Sequence, residues 1–144
     1  MNSVMLAPNH QLGKDKKMTG AVKKLSVVSY QVSDWQRARR FYGETLGLPV
    51  AAFISDEVGW MEFGEKGDVH LAIRLWPNAG PIPHCDGAAC AVFEVDDAYQ
   101  AVELLRQRGI QCEDVVAIPF MVTYANFYDP DGNRLQLAGP PPAA

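Results

Sequence analysis

The sequence predicts an α+β fold made of one βαβββ module used twice. Three observations predict it. The chain repeats itself internally. In each copy a strand ends at an aspartate that opens an amphipathic helix. Each copy then closes with a strand–turn–strand pair. The repeat is explicit in "VVSYQVSDWQRARRFYGETLGL" (27–48) and "CAVFEVDDAYQAVELLRQRGI" (90–110). Sixty-three residues on, Tyr30 falls on Phe93, Val32 on Val95, Asp34 on Asp97, Ala38 on Ala101 and Phe41 on Leu104. Gly47 meets Gly109 once one residue is gapped. Downstream, "FGEKGDVHLAI" lies on "FYDPDGNRLQL" with an offset of 64, which matches Phe63 to Phe127, Leu71 to Leu135 and Ile73 to Leu137.

The elements follow in order. Residues 1–23 read as a flexible polar tail, because "MNSVMLAPNHQLGKDKKMTG" has no long apolar stretch and so is not a secretory signal. Gly13 to Lys17 require purine-rich codons, as a ribosome-binding site does, which makes Met18 a candidate initiator. Residues 24–139 form a single domain of two modules, 24–76 and 89–139. A first strand at about 25–32 alternates apolar and polar residues. Asp34 then serves as N-cap or first-turn acid for a helix over 34–46, where Trp35, Ala38, Phe41, Tyr42 and Leu46 share helical spacing. Gly47 suits the position just past the helix, where a left-handed conformation ends it. "GWMEFG" and "DVHLAIRLW" supply the closing strands. "PNAGPIPHCDGA" (77–88) is the Pro/Gly-rich linker.

The second module repeats the grammar with a strand at 89–95 and a helix at 97–108, in which Ala98, Ala101, Val102, Leu104 and Leu105 form the apolar stripe. Gly109 stops it, and "TYANFYD" with "NRLQLAG" closes the module. Asp-Pro-Asp-Gly at 129–132 sets the tight turn between them. Residues 140–144 are a Pro/Ala tail.

Alternation along each strand assigns faces. Val28, Tyr30, Val32, Ala91, Phe93 and Val95 face the helices. Val27, Ser29, Gln31, His70, Ala72, Cys90, Val92, Glu94, Arg134 and Gln136 face the other way, and Trp60, Glu62, Tyr124 and Asn126 follow by pairing. These uncovered faces are expected to surround a cleft. Gln136 poses the sharpest question, an uncharged amide between two core leucines and on the opposite face from them.

Bulk properties exclude several classes. With 144 residues the chain can bury roughly 68–70% of its unfolded surface without staples. The net charge of −4 argues against nucleic acid or an anionic membrane as partner, and no run of 18 apolar residues is present. Three cysteines, an odd number in no metal-type spacing, fit reduced thiols in a cytoplasm.

The βαβββ repeat, "VSDWQRARRFYGETLGL" after the first strand and "FYDPDGNRLQL" near the end resemble the vicinal oxygen chelate superfamily. That group includes glyoxalases, bleomycin-resistance proteins and extradiol dioxygenases, and the resemblance covers about residues 25–139. It implies two modules forming a curved mixed sheet around a cleft. Metal-using members carry a His on the first strand of each module, a Glu on the final strand and often a further ligand on its counterpart. Here those positions are Val27, Cys90, Gln136 and approximately Ala72. A divalent ion needs imidazole nitrogen and anionic oxygen, which this set does not offer. The resemblance thus implies no metal site of the usual kind, and no cofactor.

What remains is a cleft with an aromatic side, Trp60 and Tyr124 with Phe120 and Met121 nearby, and polar groups at Ser29, Glu62, Asn126 and Gln136. This predicts metal-independent binding of a small aromatic or amphipathic molecule at Ser29, Trp60, Glu62, His70, Cys90, Tyr124, Asn126 and Gln136. The alternative is an enzyme of lyase, isomerase or dioxygenase type. It would use His70 and Glu62 as an acid–base pair, or Glu62, His70 and Cys90 as a rearranged metal site. Cys90 reads as a small hydrophobe more readily than as a nucleophile, and His84-Cys85-Asp86 as a polar loop. The open edges of a half-closed sheet predict a homodimer.

Overall fold

The computed structural model describes residues 20–84 and 87–143. The expected tail as far as residue 19, the start at Met18, and Cys85 and Asp86 of the linker lie outside them. Chain order is β1 (Val27–Val32), α1 (Trp35–Arg40), a π-helical turn (Phe41–Thr45), β2 (Val50–Phe53), β3 (Trp60–Phe63) and β4 (His70–Leu75). Then come β5 (Val92–Glu94), α2 (Ala98–Gln107), β6 (Val116–Ile118), β7 (Val122–Tyr128) and β8 (Arg134–Gly139). The βαβββ order occurs twice.

Each module makes its own four-stranded mixed sheet, β1-β4-β3-β2 and β5-β8-β7-β6. In both, the first strand runs parallel to the last, as a helical crossover permits, and the rest is antiparallel. The sequence repeat is also a repeat of register. Ala72 lies between Ser29 and Glu62, and Gln136 lies between Val92 and Asn126.

The helices start where their aspartates cap them. Asp34 Oδ1 accepts the Arg37 N–H at 3.0 Å, and Asp97 Oδ1 accepts those of Tyr99 and Gln100 at 2.9 and 3.1 Å. Gly47 and Gly109, at φ +76° and +82°, end them. The first helix departs from the expected α-helix over 34–46. From Phe41 it widens, with the Leu46 N–H reaching the Phe41 carbonyl at 2.9 Å. Phe41 and Tyr42 are consecutive and both buried. In a regular α-helix their side chains would diverge by about 100°, since 3.6 residues make a turn. The wider turn lets both point inward.

The strand expected over 89–95 is shorter, at Val92–Glu94. The Ala91 N–H is taken instead by the Tyr30 hydroxyl at 2.7 Å, which caps the free edge of that sheet.

The helix-facing sides of both sheets join one core. Val32, Met61, Phe63, Leu71 and Ile73 of the first and Ala125, Phe127, Leu135 and Leu137 of the second belong to it, with Tyr42, Val102 and Leu105 from the helices. The turn at 129–133 fastens the modules to each other. Buried Asp129 accepts the Tyr42 hydroxyl at 2.7 Å, the Asn133 amide at 2.8 Å, and backbone N–H groups of Asp131 and Asn133. Asn133 Nδ2 also donates to the Gln31 carbonyl at 2.8 Å, while Asp131 accepts from the Ser33 hydroxyl and pairs with Arg37 at 3.1 Å.

Candidate functional site

A shared core on the helix side turns the opposite face of each sheet outward. Register puts Val27, Ser29, His70, Trp60 and Glu62 on the outer face of the first sheet, and Tyr124, Asn126 and Gln136 on that of the second. On the second sheet they alternate with buried neighbours along all of β7 and along β8 from Arg134 to Ala138. The expected site residues therefore fall into two clusters, one per sheet. Among the described residues no hydrogen bond joins the two.

The first cluster centres on Glu62. Its Oε2 accepts the Trp60 indole N–H at 2.9 Å and its Oε1 meets His70 Nδ1 at 2.9 Å. The other ring nitrogen of His70 lies 3.1 Å from the Glu65 carbonyl oxygen. Both partners of the ring are acceptors, so both nitrogens are best served as donors. A neutral imidazole has one N–H, and the imidazolium has two. The Glu62 hydrogen bond accordingly raises the His70 pKa above its ordinary value, and the His70 and Trp60 hydrogen bonds lower that of Glu62. As an acid–base pair the two are poorly placed, because neither imidazole nitrogen is free to take a proton. A salt-bridged imidazolium suits electrostatic recognition better.

The second cluster is a relay of amides ending on an acid. Gln136 Nε2 donates to Asn126 Oδ1 at 3.0 Å, and Asn126 Nδ2 donates to Glu113 Oε1 at 3.1 Å. Glu113 also accepts the Tyr128 hydroxyl, and these bonds hold its carboxyl below the usual range. Glu113 and Tyr128 are additions to the expected site. Glu113 stands before β6, outside the two stretches over which the repeat aligns, so alternation gave it no face. Its backbone N–H pairs with the Asn126 carbonyl at 2.9 Å, and this brings it to the outer face.

Cys90, half-buried and free, lies just ahead of β5, and Tyr124 lies across from Ala138 and Val116. Ser29 opens onto the seam between β1 and the turn after β7, beside Gln31 and Arg134. Phe120 and Met121 project from the β6–β7 turn, 94% and 69% exposed.

Could these residues hold a metal? Val27 and Ala72 have no donor atom, and Gln136, its amide nitrogen given to Asn126, offers only a neutral oxygen. No three His, Cys, Asp or Glu side chains among the described residues come together as a metal would need. Glu62, His70 and Cys90 do not form a rearranged set. The donor groups that the described residues of one chain bring to these positions do not make a divalent-ion set.

No helix among the described residues is long and apolar enough to cross a membrane. The family model of the Glyoxalase/Bleomycin resistance protein/Dioxygenase superfamily matches residues 24–137. Uncharacterized protein YetH of Bacillus subtilis (strain 168) is 27% identical over 118 residues, spanning 81% of this chain and 98% of its own. Among solved structures, TnmS3, an antibiotic binding protein from Streptomyces sp. CB03234, is 27% identical with a TM-score of 0.63, over 84% of this chain and 98% of its own. A glyoxalase family protein from Bacillus anthracis shares the fold at a TM-score of 0.66 and 24% identity, over 85% of this chain and 99% of its own.

Proposed function

The chain belongs to the Glyoxalase/Bleomycin resistance protein/Dioxygenase superfamily, and on that premise we propose that it binds a small aromatic or amphipathic molecule without a metal ion. The observation that carries this reading is the chemistry of the outer faces. They join half-buried aromatic surface at Trp60 and Tyr124 to fixed polar groups, Glu62 with His70 and Gln136 with Asn126, and they lack a metal-type donor set. Such a mixture orients an organic ligand and has no reactive group poised to transform it. The likeness to an antibiotic binding protein points the same way.

The pocket is completed by a second copy of the chain. Each outer face is half of a cleft, and apolar residues are exposed beside both, Val50 and Phe53 next to the first, Val92 and Val116 next to the second. A two-fold partner setting the first sheet of one copy against the second sheet of the other would enclose both clusters. Light scattering at micromolar concentration should show a dimer; a 15.8 kDa species alone would count against it.

A screen of aromatic and amphipathic compounds, read by tryptophan fluorescence and melting temperature, tests the binding itself. Trp60→Ala should weaken a genuine hit by about 1–3 kcal/mol, as loss of a central aromatic contact does. Hits that bind the variant as well as the parent would remove Trp60 from the site.

A further inference from the structure

A separate groove of about 390 Å³ runs along the seam between the modules, lined among others by Ser29, Gln31, Ile82, Pro83, Asn133 and Arg134. Two of its groups are left wanting. The half-buried Arg134 guanidinium donates to the Ala88 carbonyl at 2.8 Å and forms no ion pair among the described residues. The Glu113 carboxylate acts on it only from beyond ion-pair distance, so its remaining donors present a fork open to an anion. The second group is Gln31, whose side-chain oxygen is buried and has no donor among the described residues. An unsatisfied buried acceptor is costly, and a ligand that donates to it removes that cost.

The two groups are held close. Asn133 Nδ2 binds the Gln31 carbonyl at 2.8 Å, and the Tyr30 hydroxyl donates to the Arg134 carbonyl at 2.9 Å, so β1 and the start of β8 are fastened at both residues. Side chains 31 and 134 rise from this joint into the same groove. Both residues line one groove of about 390 Å³, so a single compact molecule with an anion and a donor can serve them together. Ile82 and Pro83 give it an apolar wall.

We propose that the seam is a second small-molecule site, taking a compact carboxylate that bears a neighbouring hydroxyl or amine, with Arg134 on the carboxylate and Gln31 receiving the donor. It goes beyond the ligand pocket proposed above, since it lies within one chain and uses neither Trp60 nor Glu62.

L-malate and succinate, which differ by one hydroxyl, are suitable probes, with inorganic phosphate as the bare anion. Titration of the full chain, followed by amide chemical shifts, should show saturable malate binding that moves Ala88, Asn133 and Arg134. Malate should bind at least about tenfold more tightly than succinate or phosphate, as a hydrogen bond to a buried orphan acceptor implies. Arg134→Gln should weaken malate and succinate alike by at least about tenfold, the loss expected of a charge-assisted pair. Gln31→Leu should erase the difference between malate and succinate. Trp60→Ala should leave both unchanged. Equal affinity for all three probes, or malate binding that survives Arg134→Gln in a folded protein, would overturn the assignment. Loss of malate binding in Trp60→Ala would also overturn it, by moving the ligand to the outer-face pocket.

Discussion

At the scale of single residues, protonation and backbone strain mark the surfaces that ligands or partners would meet. His70 donates to Glu62 and faces the Glu65 carbonyl, and Asp68 adds a further negative charge near it. The sign follows directly. Stability from the raised imidazole is fully present below its ordinary value of 6.5 and is lost as pH climbs through the higher folded value. That from Glu62 is present above 4.5 and lost as pH falls through its lowered folded value. The parent melting temperature should therefore decline as pH rises above 6.5 more than that of His70→Gln. Parallel curves would show that the pair adds nothing to folding. Phe120 offers a second test. It sits at φ +64° in a turn closed by the Met121 N–H on the Ile118 carbonyl, a position where a bulky residue costs roughly 1–2 kcal/mol and glycine is free of strain. Among the described residues it is 94% exposed, so the strain serves no contact with them. Phe120→Gly should leave the isolated chain as stable or more stable in urea while weakening self-association. Unchanged dimerisation would take Phe120 out of the interface.

At the scale of elements, alternation and capping were legible in the sequence and long-range joints were not. Alternation placed Gln136, and pairing placed Trp60, Glu62 and Asn126, on the sides of the two sheets turned from the helices, because neighbours such as Met61 and Leu135 must be buried, and both aspartate caps stand where local chemistry put them. The π-helical turn was missed because its cause, two adjacent buried aromatics, acts only once a core exists. Asp-Pro-Asp-Gly read correctly as a turn, yet its role as the bolt between modules depends on Tyr42, 87 residues away in sequence. Glu113 escaped for the same reason. The bolt is testable. Asp129→Ala strands the Tyr42 hydroxyl, the Asn133 amide and two backbone N–H groups, and should cost about 3–5 kcal/mol, since a buried donor left without an acceptor costs about 1–3 kcal/mol. Tyr42→Phe removes one charge-assisted bond and should cost about 1.5–3 kcal/mol. Urea unfolding measures both. If Asp129→Ala lost under about 1 kcal/mol, the modules would be held by the apolar core alone.

At the scale of the whole molecule, the question raised by Gln136 becomes one of which chain faces which. Gln136 ends an amide relay whose next member, Asn126, presents its oxygen to it and its nitrogen to Glu113. Gln136→Glu would set a carboxylate against that oxygen. Turning Asn126 over would satisfy it, but would then place the same oxygen against Glu113. One carboxylate here therefore disturbs the relay and creates no metal site. Three changes should create one, at the positions that the superfamily's metal enzymes use. Val27 lies on the outer face of the first sheet, while Gln136 lies on that of the second and Cys90 just ahead of its first strand. Because those faces turn away from one shared core, the three positions meet only if a second copy brings them together. Val27→His chains and Cys90→His/Gln136→Glu chains should thus each bind Zn²⁺ weakly, and an unfolded-and-refolded mixture should bind it tightly, since His₂Glu is a competent zinc set. Calorimetry of the mixture and of both parents decides the matter. Tight binding by the mixture alone would place the pocket between chains. Tight binding by a monomeric triple variant would place it within one chain, and no binding by any of them, with all folded, would mean that the two outer faces do not meet.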